Sequence, residues 1–162
     1  MTRLPDGVTV RLATAADVRE LCDRMRPDDL AELHALGHPG DPFEHLMKDV
    51  GESAGGYAFF IHGSLAAVAG VEPPSDGHPT ACIWMLSTDT VDRNKRLFIE
   101  ASRIVIDEAL RHFPVLGNMV HSRYTRAIRW LRSEGAEFGE PFEADSGELF
   151  VPFAIFREYS DV

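Results

Sequence analysis

The sequence has no apolar run long enough to cross a bilayer, and its first residues lack the pattern of a secretion signal. The expectation is therefore a chain with no membrane span. Cysteine is scarce: Cys22 and Cys82 form no metal-ligand pattern, and each falls in a segment with the character of a helix or a strand. Both are expected to be reduced core residues in a cytosolic setting. Positive charge is also short, with 16 Lys and Arg against 26 Asp and Glu and a net charge of −10. A polyanion is repelled by such a chain at long range, which argues against general nucleic-acid or anionic-membrane binding. Repeats, low-complexity tracts and linkers are lacking too. The 162 residues are read as a single domain spanning residues 1–162, long enough to bury a core.

What is there is organised around Ala81 to Phe138. Ala81 to Leu86 is a short run of apolar and β-prone residues, expected to be a strand buried on both faces. Polar residues from Ser87 to Asn94 break it. Leu97, Ala101, Ile104, Val105 and Glu108 then recur at three- and four-residue steps, which puts a largely apolar stripe on a helix of about five turns. Pro114 ends that helix, since its ring removes an N–H and biases the preceding residue away from α. Val115 to Val120 reads as a second strand, and Arg126 to Arg132 as part of a helix closed by Gly135. Strand, helix, parallel strand is a crossover unit, whose usual ligand site lies where the first strand hands over to the helix.

Elsewhere, Val8 to Leu12 alternates like a strand, and Thr14 with Asp17 three residues on forms a capping-box pattern. Pro27 opens a second helix that ends at Gly37, and Pro42 to Val50 forms a third before the break at Gly51. Tyr57 to Ile61 and Leu65 to Val71 flank His62-Gly63-Ser64 as a tight hairpin. Glu137 to Phe142 and Leu149 to Phe156 are the last strand-like runs, and Pro152 points to an edge or a bulge. The order gives an α/β fold with a mixed sheet and helices on both faces.

Charge is uneven. Arg93 to Arg132 holds nine Lys or Arg against three acids, a local +6, while the other residues sum to −16. Two solvated helix faces explain this, and so does an anion-attracting patch on the crossover. Arg123, Arg126, Arg129 and Arg132 recur every three residues, either as a solvated face or as a contact surface for an acidic protein. His34 and His38, with Glu32, Asp41, Glu44 and His45 near in sequence, have the spacing of a zinc pair, but Gly37 and Pro39 break that face. Glu72, His78 and Asp89 stand at strand ends, where a general base would lie and where solvated loop residues also collect. Trp84 and Met85 are expected to pack the core.

Three stretches carry a family resemblance. VTVRLATAADVREL, YAFFIHGSLAAVAG and YTRAIRWLRSEGAEF resemble the opening strand and helix, the central hairpin and the late helix of the GNAT (Gcn5-related N-acetyltransferase) superfamily. The RPDDLAEL segment, the strand ending in WMLST and the run FPVLGNMVHSRYTRAIRWLRSEGAEF are further similar to a tailed-phage group, the internal-virion-protein-A-like proteins. The resemblance implies a single-domain, mostly antiparallel sheet with a central parallel strand pair. It also implies a phosphate loop of the form R-x-x-G-x-G/A, whose backbone N–H groups hold the pyrophosphate of acetyl-CoA. Here Arg93 fits, but Arg96 and Phe98 stand where small residues belong. The late-helix pattern puts Tyr124 at the family's Asn and Leu131 at the Tyr that protonates the leaving thiolate, and Leu has no proton to give.

These departures lead to a first expectation: a phage or prophage protein that has kept the fold, lost efficient transfer and needs no cofactor. It would contact a phage structural or host protein in virion assembly or infection, in the host cytoplasm or the virion. The alternative is an acetyl-CoA-dependent N-acetyltransferase holding its cofactor with Leu86, Ser87, Thr88, Arg93, Asn94, Lys95 and Arg96. A CoA- or nucleotide-sensing module is a third reading of the basic patch.

Overall fold

The computed structural model describes residues 3–53, 55–75 and 77–156. Strand β1 (Val8–Leu12) leads into helix α1 (Ala15–Arg24) through a complete capping box. The Asp17 N–H donates to Thr14 Oγ1 at 3.3 Å, and the Thr14 N–H donates to Asp17 Oδ2 at 2.8 Å. Thr14→Ala removes one arm of the box and is expected to cost about 1 kcal/mol in a urea unfolding curve. Pro27 takes the first position of α2 (Pro27–Ala35), and Gly37, at φ +92°, follows its end. Helix α3 (Phe43–Glu52) passes through Gly51 instead of stopping before it.

Strands β2 (Gly56–Ile61) and β3 (Ser64–Glu72) are joined by His62 and Gly63 alone, both at positive φ (50° and 80°). That is the mirror-image turn a two-residue hairpin requires. Ser64, expected in the turn, pairs with Ile61 instead. The crossover follows as β4 (Thr80–Ser87), a single turn α4 (Thr90–Arg93), the long α5 (Lys95–His112) and β5 (Val115–His121). Helix α6 (Thr125–Ser133) ends ahead of Gly135 at φ +88°.

The expected strand from Glu137 to Phe142 is two short pieces, β6 (Glu137–Phe138) and β7 (Phe142–Glu143). Both pair with β8 (Leu149–Phe156), whose other side pairs with β5 along nearly its whole length. Pro152 therefore lies in no free edge. It sits between the β6 and β7 pairings, where no N–H is demanded of it, and its carbonyl accepts the Gly139 N–H at 2.9 Å.

The sheet runs β1-β2-β3-β4-β5-β8-β6, antiparallel except for β4 with β5. On one face α1, α2 and α3 cover Ala58, Leu65, Val68 and Leu86 with Val18, Leu21, Leu33 and Leu46. On the other, α5 and α6 cover Ala81, Leu116, Val120 and Ile155 with Ile106 and Leu131. No helix among the described residues is long and apolar enough to cross a membrane.

Candidate functional site

The two layers of helices would be separated by the sheet if β4 and β5 stayed paired. They do not. Their parallel ladder covers only Thr80 to Cys82 against Val115 to Gly117. At its last rung Gly117 allows a close approach, since a Cβ there would lie 2.9 Å from both the Phe153 carbonyl oxygen and the Thr80 methyl. The next rung is made by a side chain. Asn118 Nδ2 donates to the Ile83 carbonyl at 2.7 Å, while its Oδ1 accepts the Met119 N–H at 2.8 Å. The carboxamide thus stands in for the peptide group that the diverging strands no longer supply. Beyond it β4 and β5 part. Strand alternation turns the Met85 N–H and C=O toward the opening, and neither has a hydrogen-bond partner among the described residues.

At the wide end the α1–α2 connection and α2 fill the gap. The Arg26 N–H donates to the Ser87 carbonyl at 2.9 Å. Asp29, 4 % exposed, accepts the Ser87 N–H at 2.7 Å and the Ser87 hydroxyl at 2.8 Å. One turn on, Glu32 Oε2 accepts the His121 N–H from β5 at 2.9 Å. From the opposite face of the sheet Tyr124 donates its phenolic O–H to Asp29, and Arg126 reaches Asp28 at 3.1 Å. Arg26 and Arg126 share Asp92, at 3.1 and 2.9 Å. Helices on opposite faces therefore touch through the opening.

The titration of these groups follows from their burial. Glu32 is pushed up to about 7 because burial disfavours its charge, against the His121 N–H bond and with the Asp29 charge adding to the rise. Burial also lifts the Tyr124 phenol well above its ordinary value, with the Asp29 charge and hydrogen bond acting the same way. A carboxyl group poised near neutrality and a phenol that keeps its proton face one opening.

Of the strand-end residues expected to hold a cofactor, Ser87 alone turns its peptide into the gap. The Thr88 N–H donates to Ala66 on β3, and alternation sends Leu86 the same way. Thr88 Oγ1 is spent on the Leu65 carbonyl at 2.6 Å. Arg93 pairs with Asp89 at 2.7 Å. Asn94 precedes α5 without a side-chain cap, which leaves the amides of Lys95, Arg96 and Leu97 at the free end of an 18-residue helix. Lys95 and Arg96 are exposed and have no acidic partner among the described residues. The Phe98 ring has left the turn and packs against Trp130, with centroids 5.4 Å apart. Leu131 is buried in the α5–α6 core.

The remaining candidates lie elsewhere. Glu72 is at the far end of β3 from the opening, grouped with Asp49 and Glu52. Asp89 is tied to Arg93 and Arg24, and His78 lies in the β3–β4 loop. His38 stacks on His45 with centroids 3.8 Å apart. In the arginine stripe, Arg126 is committed to Asp28 and Asp92, and Arg132 lies over the Phe138 ring. Trp84 packs in the α1–α3 core and donates to Ser53 Oγ at 3.0 Å. Cys22 and Cys82 are both free, and burial raises each thiol to about 11.

No family model matches the sequence, and neither does any curated protein. Solved structures do match. The chain is similar to AAC(6′)-Ib in complex with ribostamycin and coenzyme A, with a TM-score of 0.71 and 18% identity over 94% of each chain. It is similar to a GNAT-family acetyltransferase from Bacillus anthracis, with a TM-score of 0.71 and 12% identity over 93% of this chain and 95% of that one. The fold is the GNAT fold. A ribosomal L7/L12 α-N-protein acetyltransferase in complex with coenzyme A also shares it, with a TM-score of 0.68 and 9% identity over 95% and 96% of the two chains. In all, 227 solved chains match, so the GNAT fold by itself singles out no acceptor. The likeness to the phage subgroup rests on the sequence stretches quoted above.

Proposed function

We propose that this chain is an acyl-CoA-dependent N-acyltransferase working in the opening between β4 and β5. The observation that carries the reading is the unpaired Met85 peptide, set between the Asn118 rung and the Ser87 amide. An extended ligand bearing amide groups, as the pantetheine arm of CoA does, would complete the interrupted ladder there. The donor set fits such a molecule. The uncapped first turn of α5, flanked by Lys95 and Arg96, suits its phosphates.

Acyl-CoA would supply the activated acyl thioester. The chain's own part is proton traffic and placement. Glu32, near neutrality, takes the proton that an ammonium acceptor must lose before its nitrogen lone pair is free. Tyr124 holds a phenolic proton across the opening, on the side from which α5 begins, for the sulfur that departs. The first expectation, a phage protein without efficient transfer, rests on Leu131, Arg96 and Phe98. Tyr124 offers the proton that Leu131 lacks, the Phe98 ring packs on Trp130 and not into the turn, and Arg96 adds positive charge there, which favours transfer.

Titration with acetyl-CoA and CoA by calorimetry and thermal shift tests this. At a hundredfold excess over Kd the added stability is about 2.7 kcal/mol, a rise in Tm of roughly 5–10 °C for a chain of this size. CoA release with a panel of amines should follow. A flat titration at millimolar ligand would remove the transferase reading.

A further inference from the structure

We propose that α2 is an internal competitor at this site: its Asp29 carboxylate occupies an oxygen-binding position that an acyl or amide oxygen of the ligand takes by displacing it. This rests on the transferase reading. Asp29 sits on three donors, the Ser87 N–H, the Ser87 hydroxyl and the Tyr124 phenol. Such a trio fits any oxygen carrying negative or partial negative charge. Glu32, one turn on, keeps the His121 N–H and its place at the opening. A ligand that paired with β4 would need the Ser87 amide that Asp29 holds.

The closed arrangement is polar and incomplete. Arg26 Nε is buried without a hydrogen-bond partner, 3.6 Å from Asp29 Oδ2. With the Met85 peptide, it leaves unspent hydrogen-bonding capacity that a ligand can satisfy. Helix α2 is also lightly held. Leu33 is its one buried apolar side chain, whereas α1 fully buries Val18 and Leu21 and carries the capping box. The remaining ties of α2 are at its rim: Asp28 to Arg126, both half-exposed, and the Ser146 hydroxyl to the Ala35 carbonyl. Exposed ties of this kind contribute little, so the first turn of the helix, which carries Asp28 and Asp29, can lift while Glu32 stays at the opening. Lifting has a second effect. Burial holds the Tyr124 phenol up in either arrangement, but the Asp29 charge and hydrogen bond raise it further, so their withdrawal lowers it and makes it a better proton donor.

The test uses the full chain with CoA and with pantetheine, which lacks the phosphates that would bind at α5. In hydrogen exchange of the unsubstituted protein, saturating CoA should speed exchange of the Leu30 amide, which closes the first turn of α2 on the Arg26 carbonyl, at least tenfold while the Ser87 amide stays protected. Asp29→Asn, which weakens the competitor, should tighten both ligands about tenfold. Should the Leu30 amide gain or keep its protection under CoA, or both affinities stay within twofold in the variant, α2 is not a competitor, and the transferase reading survives. Absence of binding in every form of the protein would end the transferase reading and this one together.

Discussion

Replacing Glu32 by glutamine is expected to leave the protein more stable at pH 8 and nearly inactive. The two effects have one cause. The Glu32 carboxyl is raised to about 7 in the fold, against an ordinary value of 4.5. Between those limits the folded state binds more protons than the unfolded state, so stability falls as pH rises through that window. The penalty is absent below about pH 4.5 and complete above about pH 7, where it is on the order of 3 kcal/mol. Glutamine keeps an oxygen for the His121 N–H and has no charge to desolvate. Urea unfolding should therefore show Glu32→Gln gaining stability at pH 8 and gaining nothing near pH 4. The same change removes the proton acceptor, and kcat/KM should fall about 10²–10⁴-fold. The acidic limb of the pH–rate profile, centred near 7 in the unsubstituted protein, should vanish. A variant that kept the limb would assign the base to another residue. Residues that weaken the fold yet are needed for the chemistry are the expected signature of a working site.

The elements were largely legible because their signals are local. Thr14 with Asp17, Pro27, the His62-Gly63 turn, the 81–121 crossover and Gly135 each declare themselves within a few residues. The site was not, because its partners are far apart in the chain. Asp29 meets Ser87 across 58 residues and Tyr124 across 95, and Glu32 meets His121 across 89. In sequence, Asp28 and Asp29 read as ordinary acids at the positive end of a helix, and Glu32 as one more acid near His34. Tyr124 did carry a signal, since it occupies the polar place in the late-helix pattern. Its partner, Asp29, lies on the other side of the sheet, which no local pattern records. Two cores on opposite faces can be read from periodicity, whereas a gap between two strands leaves none.

Asn118 is expected to matter more than any other exchangeable polar residue of β5. Its carboxamide is donor to the Ile83 carbonyl and acceptor for the Met119 N–H, at the point where the parallel ladder stops. Asn118→Ala strips both partners at once. With each part-buried orphan costing about 1–3 kcal/mol, the loss should be roughly 2–6 kcal/mol, or about 4–24 °C in Tm. Asn118→Asp separates the rung from mere bulk. A carboxylate still accepts the Met119 N–H but presents an oxygen to the Ile83 carbonyl oxygen, whereas the protonated acid restores a donor. The folded state then favours the protonated aspartate, so its pKa rises above the unfolded value. The damage should be largest at pH 7–8 and shrink as pH falls toward 4. If Asp and Ala cost the same at every pH, the side chain is only a spacer and the strands part for some other reason. If the Asp variant recovers in acid, one carboxamide sets where β4 and β5 separate, and with it the position of Met85 and the mouth that α2 covers.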